Sequence, residues 1–472
     1  KEHPPAISVE EPPSTATEEV AGIIERISVV PEPVAVPPEP PAEVIEEVPA
    51  WEIWHTDPAE HVLLAVAITL VAGKVGGETA RLLGVPAVVG KIIIGMILGN
   101  IYLLSGWDFF NFLRVMPFLK HLSDLGALTL LLTIGLRTNL GATLRVGVSS
   151  VLVALGGLVA PAGLGFLVGH FLLPESPFNT KLLLSIVLCA SSMGIILKVL
   201  DELKMLHTLE GRIITGAVIL GDAVTLLGFG VACGIITSGQ IPLVGVIITI
   251  IIVSFFFSAI VITSLRYGEV LGNFVTRKVP EGLKLAMAVT LCLVLAFLAE
   301  SIGMHTIVGA FAAGLLLQHM RLKESDGKEY SIEWLIRPAY MILVPIFFVR
   351  AGAQVRWESF LDINTVFLGL ALTGASILGK LFCSLCPVER DINRLAIGLA
   401  MVPKLEVTLI LASIGRGIGV LDDAIFSAFV MLIVLTSTVS PPFLKMVLLR
   451  KKSVPEGPPV PSAREEIRAT TR

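Results

Sequence analysis

From about residue 59 to about residue 450 the chain repeatedly gives runs of roughly 20 apolar residues, separated by short charged loops. No other feature narrows the fold so far. At about 1.5 Å per residue, roughly 20 helical residues cover the ~30 Å hydrocarbon core of a bilayer. About thirteen such stretches can be counted, near 59–79, 86–104, 117–136, 146–173, 181–200, 213–237, 241–265, 283–303, 306–320, 335–353, 364–386, 394–415 and 421–449. Of the 472 residues, 54% are hydrophobic and 16% charged, a balance foreign to soluble domains. The expected fold class is therefore all-α and polytopic, a membrane protein with the bilayer as its first partner.

Lys and Arg in the loops orient such a chain, because positive loops stay cytoplasmic. With the N-terminus outside, one set of loops holds Arg81, Arg137, Lys198, Lys204, Arg212, Arg277, Lys278, Arg390 and Arg450, among others. The opposite set holds only Arg114, Lys120, Lys181, Arg350, Arg356 and Arg416. A bias of roughly three to one places the N-terminus outside and the C-terminus in the cytoplasm, with the cell (inner) membrane as the expected location. Three parts follow: an acidic Pro/Glu-rich tail over 1–55, the membrane domain over 56–450 and a short cytoplasmic tail over 451–472. The first tail, with VVPEPVAVPPEPPAEVIEEVP, reads as disordered or polyproline II; a tail left outside after loss of a signal segment would suit the orientation.

Several chemistries lack their residues. The eight His form no HxxxH or HExxH spacing, and no G-x-x-x-x-G-K-[ST] loop is present for phosphate. Cys383 and Cys386 make a single CxxC without the second pair that a zinc site needs, so buried reduced thiols are expected. Neither a cofactor, an enzymatic reaction nor a nucleic-acid partner is expected.

The residues that break membrane rules carry the functional reading. In GAVILGDAVTLL, residues 216–227, Asp222 is the sole charge in an apolar run. An intramembrane carboxylate costs roughly 2.5–3.5 kcal/mol on insertion scales and marks a functional site by default. If the segments divide as about six, one linker and six, the second half is inverted relative to the first, the plan of many secondary transporters. Binding sites in such folds lie where corresponding helices are interrupted near the midplane. The fifth stretch of the first half carries CASSMGI, with Ser191, Ser192 and Gly194; its counterpart carries AMVPKLEVTL, with Pro403, Lys404 and Glu406. Lys380, in TGASILGKLFCSL, lies at a depth similar to Asp222, so the two could pair. Glu300 falls near an interface, and Ala310 and Gly314 have the spacing of close helix contacts.

Seven strings follow one another in an order that resembles the monovalent cation:proton antiporters, the Kef-type and sodium/proton branch in particular. They are GVPAVVGKIIIGMILGN, LSDLGALTLLLTIGL, SSMGIILKVLDELKML, GAVILGDAVTLL, IVGAFAAGLLL, PIFFVRAGAQV and MVPKLEVTLILASIGRGIG, over about residues 60–450. The resemblance implies a dimerisation domain, hence a homodimer, and a six-helix core where two unwound helices cross beside an essential Asp. It implies exchange of a monovalent cation, Na+ or K+, for protons. Asp222 matches the ion- and proton-binding Asp, Ser191 and Ser192 the polar crossover, whose neutral oxygens are expected to join Asp222 in binding the cation, and Lys380 the basic residue serving as internal counter-ion. Pro403, Lys404 and Glu406 match a Pro-Arg-Gly-Glu pattern, with Lys for Arg and Leu405 for Gly. One position departs: Gly221 stands where such chains carry Asp or Asn before the essential Asp. Lys380 is then expected to find its nearest anion in Asp222. Alternatives are a non-transporting sensor or assembly subunit on this fold, a Kef-like K+ efflux channel, and a transporter of small organic anions.

Overall fold

Residues 58–450 are described by the computed structural model, apart from 106–107, 139–146, 207, 238–242, 319–320 and 324–328. The two expected tails lie outside the described residues. Among those residues, nine helices are long and apolar enough to cross a membrane, and three shorter apolar helices accompany them. In chain order, and leaving aside a single turn at Phe112–Val115, the helices are α1 (Pro58–Leu82), α2 (Ala87–Ser105), α3 (Pro117–Arg137), α4 (Val148–Leu172), α5 (Phe178–Val187), α6 (Met193–Glu202), α7 (Leu209–Thr237) and α8 (Leu243–Lys278). They continue as α9 (Glu281–Ser301), α10 (Thr306–Leu317), α11 (Ile332–Ala353), α12 (Ile363–Phe382), α13 (Arg394–Ala400), α14 (Glu406–Gly417) and α15 (Asp423–Arg450).

Two expected stretches are half-helices in series: 181–200 becomes α5 and α6, and 394–415 becomes α13 and α14. Local chemistry explains both breaks. After α5, Ser191 and Ser192 spend their hydroxyls on distant acceptors instead of supporting their own turn. After α13, Pro403 offers no N–H and biases Val402 away from helical backbone. The linker differs from expectation in the other direction. Expected over 241–265, it runs 36 residues to Lys278, about 54 Å at about 1.5 Å per residue, because no Pro or Gly-rich turn intervenes before Pro280. Arg266 and Arg277 thus belong to a helix and not to a loop. A two-stranded antiparallel hairpin, β1 (Arg321–Lys323) with β2 (Glu329–Ser331), was not anticipated.

The helices pack as two groups. In the scaffold, α11 lies against α1, α2 and α3, while α10 lies against α3 and α9. In the core, α12 packs on α4 and α15, and α7 packs on α4, α5 and α6; the half-helices α13 and α14 rest on α15. The long α8 touches both groups, through α7 and α10. Scaffold contacts are close because small residues allow it, as the spacing of Ala310 and Gly314 implied. Ala310 is fully buried. A methyl added at Gly314 would run into the Leu132 carbonyl and the Gly135 backbone of α3.

Candidate functional site

The two breaks meet. The Ser192 N–H donates to the Pro403 carbonyl at 2.8 Å, and the Ser191 hydroxyl donates to the Met401 carbonyl at 3.1 Å. Four half-helix ends therefore converge, each with unsatisfied backbone groups and a partial charge of roughly half an electron. The side chains around them answer those charges sign by sign.

At the C-terminal end of α5 the carbonyls are met by two ammonium groups. Lys404 Nζ donates to Leu188 O and Ala190 O, both at 2.6 Å, and Lys380 Nζ donates to Cys189 O at 2.5 Å and Gly157 O at 2.9 Å. Both lysines are essentially fully buried. Lys404 thus serves the end of the opposite half-helix, and its own carbonyl accepts from Ser437 Oγ at 2.5 Å. At the N-terminal ends the partners are acids. Glu406 opens α14 and also reaches α6, accepting from Ser192 Oγ at 2.9 Å and from the Gly194 N–H at 3.4 Å.

Asp222 comes to this crossing from the middle of α7 and is 3% exposed. Its Oδ1 accepts from the Ser191 N–H at 3.2 Å, while its buried Oδ2 has no hydrogen-bond partner. A buried, unmatched carboxylate oxygen costs more than an ordinary hydrogen bond returns, so its persistence calls for a ligand. A monovalent cation or a proton has the right charge, and hard oxygen donors suit it. Two further buried hydroxyls, Ser376 Oγ on α12 and Thr408 Oγ1 on α14, also lack partners.

The structure thus brings Asp222, Ser191, Ser192, Pro403, Lys404, Glu406 and Lys380 to one crossing. One expected relation differs: no ion pair joins Lys380 to Asp222, and the ammonium rests on two carbonyls instead. The reason is geometric. Lys380 leaves α12 beside Gly157 of α4 and meets the spent end of α5 first, where partial negative charge already waits. Gly221 lies buried next to Asp222, yet a Cβ added there would find nothing within 4 Å. Among the described residues no group of three or more His, Cys, Asp or Glu could hold a metal ion, and all five cysteines are free.

Sequence reasoning missed a cavity of about 1020 Å³ between scaffold and core. Asp124 of α3, Arg350 of α11, Glu300 of α9, Arg416 and Ser413 of α14 and Asp423 of α15 are among its lining residues. In the orientation read from Lys and Arg, every one of these lies toward the outer side. Arg350 keeps a buried Nε without a hydrogen-bond partner there. The signal available was Asp124, an acid two turns into α3 and third in the apolar string LSDLGALTLLLTIGL.

With this geometry in hand, known proteins give its context. A family model described as sodium/hydrogen exchanger, transmembrane, matches residues 64–450. The chain belongs to the sodium/hydrogen exchanger family. As a member of that family it is an integral membrane transport protein and not an enzyme. It is 29% identical over 446 residues to the high-affinity Na(+)/H(+) antiporter NhaS3 of Synechocystis, with 84% of this chain and 92% of that relative covered. It is also 29% identical over 386 residues to the Na(+)/H(+)-K(+) antiporter GerN of Bacillus cereus, covering 80% and 94% of the two chains. Its fold matches the sodium proton antiporter MjNhaP1 of Methanocaldococcus jannaschii with a TM-score of 0.61 at 17% identity, over 82% of this chain and 99% of that one.

Proposed function

We propose that this exchanger carries a monovalent cation, Na+ or K+, against protons by exposing Asp222 alternately to the two sides of the membrane. The observation that carries this reading is the buried Oδ2 of Asp222, unpartnered at the one place where four half-helix ends meet. A protonated carboxyl or a cation-occupied carboxylate is neutral enough to cross a low-dielectric barrier, whereas a bare carboxylate is disfavoured. Exchange follows because proton and cation compete for one group. Ser191 and Ser192 position the crossing, and Lys380 and Lys404 hold the end of α5 still while the site turns over. The names of the relatives support Na+ with protons, and that of GerN supports K+ as well.

The same reading includes about thirteen crossings in two inverted repeats, an N-terminus outside, a cytoplasmic C-terminus, the cell (inner) membrane and a homodimer built on the scaffold. The test is an Asp222→Asn variant in proteoliposomes containing a pH dye. Wild type should answer a pulse of Na+ or K+ with proton movement, and the variant should stay silent. Continued exchange in the variant would remove Asp222 from the mechanism. A wild-type protein silent to both cations would favour the non-transporting alternative, and current without a counter-moving proton would favour the channel.

A further inference from the structure

Glu406 and Asp222 hang on consecutive residues of one unwound strand. Asp222 accepts from the Ser191 N–H, and Glu406 accepts from the Ser192 hydroxyl. With consecutive Cα atoms about 3.8 Å apart, the two carboxylates lie within roughly 10 Å of each other. Their access to solvent differs. Asp222 is buried, whereas Glu406 is only half-buried and lies against Gly194, which is exposed. The exposed face of α6 continues from Gly194 through Lys198 and Asp201 toward the cytoplasmic end. On the other side, the α14 face that begins at Glu406 continues through Ile410 and Ser413 to Gly417, positions that recur every three or four residues, and these last three line the outer cavity. Ile410, 1% exposed, closes that face between the cavity and Glu406.

Resting on the exchange reading above, we infer that Glu406 is a second cation-binding carboxylate, a relay that takes the ion before it is handed to Asp222. It stands where the two approaches converge, one strand residue short of the deeper acid. The Ser192 hydroxyl and the Gly194 N–H hold it by one bond per oxygen, so lone pairs remain for a cation. Its role at the helix ends does not conflict with this, since a carboxylate between two helix N-termini still carries a full charge for the ion to meet.

The experiment uses the full chain in proteoliposomes, with Na+ and K+ as probes and the cation dependence of exchange as readout. Glu406→Gln should raise the apparent KM for the cation about tenfold, and Glu406→Asp should restore most of the affinity. A group that only balances helix dipoles would lower the maximal rate or the yield of folded protein at unchanged KM, and that result overturns the relay. Gly194→Ala gives a second reading in a helix that favours Ala, because the added methyl would sit 3.3 Å from Glu406 Oε1 and crowd the approach. It should raise KM several-fold; an unchanged KM in this variant counts against the relay even where Glu406→Gln does not fold. If wild type exchanges and Asp222→Asn does not, while both of these variants keep the wild-type KM, the relay fails and the exchange reading stands. If wild type itself does not exchange, both fail together.

Discussion

The scaffold and the core are made of similar apolar material, yet they spend it differently. In the scaffold, small residues let unbroken helices touch, as at Gly314 against Gly135, and charges such as Asp124 of α3 and Arg350 in the last turn of α11 line the cavity. In the core, two helices are broken in mid-course and Asp222, Lys380 and Lys404 are buried around the break. Burying three charges and exposing four helix ends would be ruinous separately. Together they offset one another, since each lysine lies on carbonyls and the acids lie on N–H groups and a hydroxyl. The comparison teaches that the unstable parts are concentrated where an ion must be handled, while the scaffold keeps its helices unbroken.

The sharpest way to break this contrast is Asp222→Asn. Exchange should fall below detection while the folded yield and thermal midpoint stay close to wild type, because the amide keeps the volume and can still accept from Ser191. Loss of fold in this variant would mean that the charge is structural and not functional. Next in size is Lys404→Met, which removes the ammonium from the Leu188 and Ala190 carbonyls and leaves them buried without donors. At about 1–3 kcal/mol for each unsatisfied group, the thermal midpoint should drop by several degrees and exchange with it. A midpoint equal to wild type would show that water replaces the ammonium and that the end of α5 is less closed than its burial implies.

Most of the architecture was legible, because membrane helices declare themselves by length and apolarity, and because an interruption such as Pro403 violates a strict rule. Asp222 stood out for the same reason. The partners of the lysines were not legible. The acceptors of Lys380 are the backbone of Gly157 and Cys189, and backbone carbonyls are common to all residues, so the sequence could only nominate another charge, Asp222. The cavity between scaffold and core was hidden likewise: its lining comes from α3, α9, α10, α11, α14 and α15, and no local pattern spans six helices.

Two smaller effects sharpen the comparison from either side. In the scaffold, Gly314→Val would force α10 away from α3; overpacking of this kind costs about 1–3 kcal/mol. The thermal midpoint should fall while the apparent KM for Na+ is unchanged, and a changed KM with an intact midpoint would join the scaffold to the ion site. In the core, Gly221→Asp places a second carboxylate beside Asp222 where a Cβ meets nothing within 4 Å, so the fold should be retained. One shared carboxylate carries either one proton or one cation, which makes exchange electroneutral and indifferent to an imposed potential. A second acid that also loads a proton would make each cycle move a net charge, worth about 2.3 kcal/mol per 100 mV. Exchange by wild type should therefore ignore a clamped potential and exchange by Gly221→Asp should respond to it. A wild-type rate that follows the potential would mean that another acid already shares the cycle, and Glu406 is the nearest one bonded to the same strand.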